Sequence, residues 1–322
     1  MKREKKIYFS AKFTDKTSPS MVAKEYYKHL EPYVYTCKKN SKIIRFAHFI
    51  INLKKVDTVF ILGLSKMNYL VTKISKMFGK KTVFLMHSYR KIEDLYDYDI
   101  YHLRPYEEKI LEISEKIICV SKHLSDTVKK DLPIYRDKIF WVNNGITKYV
   151  PKEKVRNQEY TIMSTGGGLR IKNNLSVCKA IEKIQDKKIR FIVIGNLGID
   201  GDEIKKYPFV EFYEYLPHDV VLKKMQETDL YIQNSFYESF GLGVCEAICM
   251  ECKVLISKNI GMIDVLKDFD ENVIIQDNQS IDEIQKKIIW AMNNEQVCKL
   301  NFDENMWEIS SRKIIKLINK KK

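Results

Sequence analysis

The sequence has 322 residues, of which 45% are hydrophobic and 11% aromatic, so it is long enough for two domains with apolar cores. It has no apolar run of about 18 residues, which excludes a membrane-spanning helix, and its charged N-terminus lacks the apolar segment of a signal peptide. We therefore expect a cytoplasmic protein.

The net charge of +14 is confined to the first half of the chain. Residues 1–150 contain 30 basic and 16 acidic side chains, whereas residues 151–322 contain 26 of each. This excess indicates either a solvated lysine-rich surface or an anionic partner. Since no nucleic-acid-binding motif is present, we expect no nucleic-acid partner and favour an anionic membrane surface, with peripheral association on the inner face of the cell membrane.

Seven cysteines, an odd number scattered along the chain, argue against a disulfide framework. Cys245, Cys249 and Cys252 have the spacing of one helix face. No histidine lies near them and a fourth ligand is missing, so this spacing favours three packed thiols over a metal site.

Short apolar strands alternate with helices along the whole sequence. Strands are predicted at residues 7–11, 34–36, 57–62, 81–86, 116–120, 138–142, 160–164, 190–195, 210–215, 230–233, 253–256 and 272–275. Ser121 is expected to cap a helix, the polar stretch 147–158 is expected to be a linker, and a basic amphipathic helix is predicted from Met306 onward. The alternation predicts an α/β fold with parallel sheets, in which ligands bind at the carboxyl ends of the strands.

Two segments of the second half have the residues of an anion site. Gly166, Gly167 and Gly168 follow a predicted strand and allow close approach of an anion to the backbone, with Arg170 and Lys172 as flanking cations.

The second segment runs from Asn234 to Glu246. If its helix begins near Leu242, Glu238 lies in the preceding loop and Glu246 lies one turn inside the helix. The N–H groups of Gly241, Leu242 and Gly243 would then form a helix N-terminus suited to a phosphate.

These segments resemble the family-four retaining glycosyltransferases of the GT-B fold. The stretch from Ser235 to Leu242 is similar to the family's serine-x-x-glutamate-x-phenylalanine-glycine-leucine motif, and Glu238 and Glu246 match its two glutamates with seven residues between them. The stretch from Gly167 to Asn173 is similar to its phosphate-binding turn.

The resemblance implies two Rossmann-like domains with parallel sheets that face a cleft. Residues 1–148 would bind the acceptor, residues 149–305 would bind the nucleotide sugar, and residues 306–322 would form a helix that returns to the first domain.

The resemblance also implies roles for individual residues. Glu246 would bind the ribose, Glu238 would bind the donor sugar as a catalytic residue, and His87 would be a second catalytic residue that contacts this sugar. The other implied donor-binding residues are Gly167, Gly168, Arg170, Lys172, Leu216, Ser239, Phe240, Gly241 and Leu242. Lys172, Arg170 and the helix amides would neutralise the leaving diphosphate, so we expect neither a metal nor a cofactor.

The expected function is transfer of a sugar, with retention of configuration, from a nucleotide-diphosphate donor to a saccharide or lipid-linked acceptor. The acceptor would be a precursor of a cell-surface polysaccharide or glycan. Two alternatives stay open: a sugar-nucleotide epimerase of similar architecture, and a non-catalytic subunit of a glycosyltransferase complex. The presence of Glu238, Glu246, Lys172 and His87 argues against the second alternative.

Overall fold

A computed structural model of the chain describes residues 6–13, 18–97, 102–151, 159–184 and 188–320. These residues divide into two compact units. The first unit contains the described residues of 1–91, 99–146 and 303–322, and the second contains those of 92–98 and 147–302. Most of the predicted linker, at residues 152–158, lies outside the described residues.

The first unit is built on a six-stranded parallel sheet in the order β2-β1-β3-β4-β5-β6. Its strands are β1 (Ile7–Ser10), β2 (Val34–Tyr35), β3 (Thr58–Leu62), β4 (Lys81–Met86), β5 (Lys116–Cys119) and β6 (Ile139–Trp141). Strand β3 is buried at all five positions, as its nearly continuous apolar sequence requires in a sheet covered on both faces.

Helices connect these strands. They are α1 (Ser18–Leu30), α2 (Lys42–Leu53), α3 (Lys66–Met77), α4 (Arg90–Tyr96), α5 (Arg104–Ile113) and α6 (Lys122–Asp131). The Ser121 side chain accepts a hydrogen bond from the Leu124 N–H at 3.0 Å, which confirms the predicted cap of α6. The chain passes from the first unit to the second within α4, after Lys91.

The second unit contains a six-stranded parallel sheet in the order β13-β11-β10-β7-β8-β9. Its strands are β7 (Tyr160–Thr165), β8 (Ile189–Ile194), β9 (Val210–Tyr213), β10 (Leu230–Gln233), β11 (Lys253–Ser257) and β13 (Ile274–Ile275). Two further strands, β12 (Leu266–Lys267) and β14 (Lys299–Leu300), pair with each other antiparallel. The strand predicted at 272–275 is shorter than expected, because residues 271–273 form a 3₁₀ turn.

The helices of the second unit are α7 (Asn174–Glu182), α8 (Gly201–Ile204), α9 (His218–Gln226), α10 (Leu242–Cys249) and α11 (Ile281–Asn293). One side of the sheet packs against α7 and α11 in a core that includes Val177, Phe191, Ile232 and Ile288. This core fixes the sheet whose strand ends hold the candidate site.

The C-terminal segment belongs to the first unit. After α12 (Phe302–Asn305), helix α13 (Trp307–Asn319) packs against α1, with the Trp307 ring edge-on to Tyr26 at 5.1 Å. A Cβ atom on Gly145 would lie 2.3 Å from Trp307, so only glycine fits beneath this ring. The C-terminal helix therefore returns to the N-terminal sheet, in accord with the GT-B fold expected from the resemblance.

The prediction that three cysteines share a helix face is wrong. Helix α10 ends at Cys249, and Glu251 adopts a left-handed conformation with φ of 60°, so the chain turns before it reaches Cys252. Cys245 and Cys252 are buried, and Cys249 is half-buried. Burial raises the pKa of the Cys245 and Cys249 thiols, which keeps them protonated.

Helices long and apolar enough to cross a bilayer do not occur among the residues that the structure describes.

Candidate functional site

The two segments singled out in the sequence lie side by side, because they follow neighbouring parallel strands. The Thr165 hydroxyl, at the end of β7, and the Tyr231 hydroxyl, on β10, share a hydrogen bond of 2.5 Å. A Cβ atom on Gly243 would lie 2.5 Å from the Tyr231 oxygen, so the first turn of α10 packs directly on this pair. Burial raises the pKa of Tyr231 and keeps its hydroxyl protonated.

Helix α10 begins at Leu242, as predicted, and presents its N-terminus at the carboxyl end of the sheet. Gly241 precedes it with φ of 105°, a conformation that favours glycine. The first N–H groups of a helix have no partner within the helix and have a partial positive charge. The end of α10 can therefore bind an anion.

The glycine turn after β7 packs closely against the loop after β8. The N–H groups of Gly166 and Gly167 both donate to the Ile194 carbonyl, and the Gly168 N–H donates to the Asn196 carbonyl. A Cβ atom on Gly167 would lie 2.0 Å from the Asn196 carbonyl oxygen, and one on Gly168 would lie 2.1 Å from the Leu197 oxygen. These contacts require glycine whether or not an anion binds there.

Lys172 connects the glycine turn to the loop before α10. Its aliphatic chain crosses Gly166, and its Nζ forms an ion pair with the Oε2 of Glu238. The same oxygen accepts a hydrogen bond of 2.8 Å from the Gln233 amide at the end of β10. The structure therefore brings Lys172 and Glu238 together and adds Gln233, which the sequence patterns did not indicate.

The backbone of Glu238 is fixed independently of its side chain. Its N–H donates to Asn259 O and its carbonyl accepts from Gly261 N–H, both at 3.0 Å. The neighbouring residues Ser239 and Phe240 are buried, and the Phe240 carbonyl accepts from the Met262 N–H. Ser239 and Phe240 thus shape the loop that positions the carboxylate.

Arg170 is directed elsewhere. Its guanidinium pairs with Asp200 at 3.3 Å, and its backbone N–H donates a hydrogen bond to Asp97 Oδ1. The other oxygen of Asp97 accepts from the Ile171 N–H at 3.0 Å. The Arg170 guanidinium is therefore paired with a carboxylate, and its expected role as a second cation for the diphosphate stays a prediction.

Sequence patterns did not indicate Asp97 and Tyr96, because these residues precede the rest of the second unit by some fifty positions. Tyr96 stacks on Phe236 with ring centroids 4.7 Å apart, and Asp97 caps the 3₁₀ turn at Arg170–Lys172. Only long-range packing reveals these contacts, and no local pattern could have found them.

Glu246 lies one turn inside α10, as predicted. It accepts a hydrogen bond of 2.8 Å from Nε2 of His218, the first residue of α9. Leu216 lies two residues earlier, in the loop between β9 and α9, where it is half-buried. The β9–α9 loop and the second carboxylate therefore lie together, and His218 is an additional residue of this part of the site.

Three buried asparagines connect the segments that form the site. The carbonyl of Asn278 accepts from the side-chain amides of Asn173 at 2.5 Å and Asn234 at 2.9 Å, and the Asn278 amide donates to the Ser235 carbonyl. Asn173 adopts a left-handed conformation with φ of 55° between the 3₁₀ turn and α7. This network ties the glycine turn to the start of the Asn234–Glu246 segment.

His87 directly follows β4 in the first unit. Its Nε2 atom is buried, and no hydrogen-bond partner for it occurs in the described part of the chain. Burial lowers the pKa of His87 to about 4, so the imidazole is neutral near pH 7. A neutral, unpartnered imidazole nitrogen at a strand end can still form a hydrogen bond with a ligand.

Groups of three or more histidine, cysteine, aspartate or glutamate side chains that could hold a metal ion do not occur within the described ranges.

The two six-stranded parallel sheets match those of GT-B glycosyltransferase structures, and a helix N-terminus, a glycine turn and two carboxylates lie at the strand ends of the second sheet. The chain belongs to the family described as glycosyl transferases group 1, whose sequence model matches residues 146–313, just over half of its length. Comparison with curated protein sequences gives no match.

Three solved structures illustrate the similarity in fold. Sucrose-phosphate synthase from Thermosynechococcus elongatus is 12% identical, with coverage of 98% of this chain and 95% of its own and a TM-score of 0.69. HepE from Anabaena, solved with UDP and glucose, is 10% identical with the same coverage and a TM-score of 0.64. The lipopolysaccharide outer core galactosyltransferase WaaB is 14% identical, with coverage of 97% and 99% and a TM-score of 0.62.

Proposed function

We propose that this glycosyltransferase is a family-four enzyme that transfers a sugar from a nucleotide-diphosphate donor with retention of configuration and without a metal. The main support is the arrangement around α10: an open helix N-terminus, with Lys172 and Glu238 beside it and Glu246 one turn inside. Lys172 and the helix end are suited to the diphosphate of such a donor, Glu238 to its sugar and Glu246 to its ribose.

The donor diphosphate would bind where Lys172 and the amides of Gly241 and Leu242 can reach it. As the bond between sugar and phosphate breaks, negative charge develops on the leaving diphosphate, and fixed donors stabilise it without reorganisation. Lys172 would then exchange its ion pair with Glu238 for one with phosphate, and this exchange would release Glu238 to accept hydrogen bonds from the sugar.

Glu246 would bind the ribose hydroxyls, with His218 orienting its carboxylate. A carboxylate that already accepts one hydrogen bond at 2.8 Å is held in one orientation, and its remaining lone pairs can accept from two neighbouring hydroxyls. Leu216 and the β9–α9 loop would contact the base. Gly167 and Gly168 would border the phosphates. Because the Arg170 guanidinium pairs with Asp200, we assign Arg170 a secondary role in binding the diphosphate.

In the retaining reaction, the acceptor hydroxyl would attack the face from which the diphosphate leaves. Its oxygen would form the new bond to the sugar carbon, and its proton would pass to the departing phosphate. The assignment of His87 as a second catalytic residue, hydrogen-bonded to the sugar, rests on the family resemblance and on its neutral imidazole.

A saccharide or lipid-linked acceptor is supported by WaaB, which is named for transfer to a lipopolysaccharide core, and by the basic charge of residues 1–150. We propose that the enzyme works at the inner face of the cell membrane on a surface-glycan precursor. HepE was solved with UDP, so UDP-sugars are the first donors to test.

The test is thermal stabilisation of the purified protein by UDP-, GDP-, dTDP- and ADP-sugars, because a ligand that binds only the folded state raises the melting temperature. The donor that stabilises is then used for turnover with and without EDTA, and the anomeric configuration of the product is determined by NMR. Loss of turnover in EDTA, or an inverted product, would contradict the proposal.

The two alternatives give different products. An epimerase would convert the free donor to its epimer without an acceptor, whereas a transferase releases the nucleoside diphosphate. A non-catalytic subunit would bind no donor or would turn none over. If turnover persists in Glu238→Ala, Glu238 is not a catalytic residue. The donor site is tested separately, by the binding data.

A further inference from the structure

Helix α2 in the first unit is apolar on two opposite sides. Its inner side contains Phe49 and Leu53, which are buried, and the Phe49 ring packs edge-on to Tyr8 at 5.2 Å. Its outer side contains four exposed isoleucines, of which Ile43 is 82% exposed. Packing within the fold explains the inner side only, so the outer side needs a separate explanation.

The exposed apolar residues form one stripe along the helix. They are Ile43, Ile44, Ala47, Ile50 and Ile51, hereafter the isoleucine stripe. Their spacing places them within about 120° of the helix circumference at 100° per residue. A continuous stripe of branched apolar side chains differs from the singly scattered hydrophobic residues that are normal on protein surfaces.

Both ends of the stripe are basic. Residues 34–56 contain no aspartate or glutamate. Their exposed cations are Lys38 and Lys39 before the helix, Lys42 at its first position, and Lys54 and Lys55 after it. Arg45, the sixth cation, is buried. An apolar face between clustered lysines is complementary to a lipid surface with anionic headgroups, since lysine chains can extend from the acyl boundary to the phosphates.

We propose that α2 is the membrane-docking element of this enzyme, with the isoleucine stripe buried in the headgroup region and its flanking lysines bound to anionic lipids. This inference deepens the proposed function and rests on it, because it names the surface through which a membrane-borne acceptor would be approached. A second copy fits less well, since a symmetric contact through α2 would bring both sets of lysines together.

The experiment is flotation of the full-length protein with two kinds of vesicle, phosphatidylcholine alone and phosphatidylcholine with about 30% phosphatidylglycerol. We expect binding to the anionic vesicles that weakens as salt is added, and little binding to the neutral ones.

Two double variants separate the two contributions. Lys42→Gln with Lys54→Gln should weaken binding by about 25-fold, at roughly fivefold per lysine. Ile43→Ser with Ile51→Ser should weaken it by at least about tenfold through lost apolar burial. Ile134→Ser is the matched control, because Ile134 is 84% exposed in the same unit but lies outside the stripe, and its binding should be unchanged.

Absent binding, or binding that neither double variant weakens, would overturn the proposal. So would a dimer in sedimentation velocity that Ile43→Ser with Ile51→Ser dissolves, since the stripe would then be a subunit interface. Thermal stabilisation by UDP and by the nucleotide sugars is measured on the same preparations. Stabilisation without vesicle binding refutes the docking element alone, and vesicle binding without stabilisation by any nucleotide sugar refutes the donor site alone.

Discussion

The Nζ of Lys172 and the Oε2 of Glu238 form an ion pair that joins the loop after β7 to the loop after β10. Both side chains are largely withdrawn from solvent, with 21% and 19% of their surfaces exposed. Each group is therefore a charged partner of the other, and under the proposed function the pair would open when a diphosphate binds Lys172.

Replacement of Lys172 by methionine should destabilise the protein and weaken donor binding. The variant leaves the Glu238 carboxylate with Gln233 alone, which should lower the free energy of unfolding by about 1–3 kcal/mol. Affinity for the nucleotide should fall at least about tenfold, because a charge-assisted contact with phosphate is lost. Urea denaturation and calorimetric titration measure the two effects.

Lys183→Met is the control for this prediction. Lys183 pairs with Asp282 at 2.8 Å, but these side chains are 54% and 71% exposed, so solvent screens the pair and its loss should leave the free energy of unfolding nearly unchanged. Equal destabilisation in the two variants, with unchanged nucleotide affinity, would mean that the Lys172 pair is only a surface contact.

The two glutamates should differ in kinetics. Glu238→Gln should lower kcat by at least about 100-fold and change the donor KM little, because its carboxylate would act on the reacting sugar. Glu246→Gln should raise the donor KM about tenfold and largely preserve kcat, because ribose binding is common to ground and transition states. Steady-state kinetics with the identified donor is the measurement, and the reverse pattern would exchange the two roles.

Two glycines with nearly the same φ angle should respond differently to alanine. Gly79 has φ of 64°, and a Cβ atom there would have no atom within 4 Å, whereas Gly167 has φ of 61° and a Cβ there would lie 2.0 Å from the Asn196 carbonyl oxygen. Gly79→Ala should lower the free energy of unfolding by about 1 kcal/mol through backbone strain alone. Gly167→Ala should lower it by about 2 kcal/mol more, because backbone must move.

Peptide-resolved hydrogen exchange assigns each loss to its own unit. Equal effects of the two substitutions would show that the glycine turn has room for a side chain, and the close contact between the β7 and β8 loops would be excluded.

The stability of the protein should depend on pH through His87. Its pKa is lowered from 6.5 to about 4, so between these values the unfolded chain binds a proton that the folded chain does not. The contribution of His87 is therefore complete above pH 6.5 and decreases with acidification, by about 1.4 kcal/mol per pH unit.

His87→Gln should remove this part of the slope, as measured by urea denaturation at several pH values between 4 and 7. A slope unchanged by His87→Gln would mean that water reaches this imidazole.

The positions of the strands were largely available from the sequence, because each is a short apolar run between turn residues. The start of α10 was also predictable, since Gly241 and the change from polar loop to apolar helix are local signals. The same locality misled the interpretation of the cysteines. The spacing of residues in a sequence does not show where a helix ends. Here the helix ends at Cys249, and the left-handed conformation of Glu251 turns the chain away from the helical face.

By itself, the sequence determined the α/β class and the family resemblance and singled out Lys172, Glu238 and Glu246 as candidates, because these depend on local composition and short motifs. The tertiary structure alone decided which groups meet: Lys172 with Glu238, His218 with Glu246, Asp97 with the turn at Arg170, and Arg170 with Asp200. Apart from Asp97, which follows α4, these partners lie on segments that follow different strands of the second sheet. The order in which these strands pair depends on the whole core, and it brings the partners together. The same distinction applies to α2, whose isoleucines are visible in the sequence but whose exposure only the packed fold reveals.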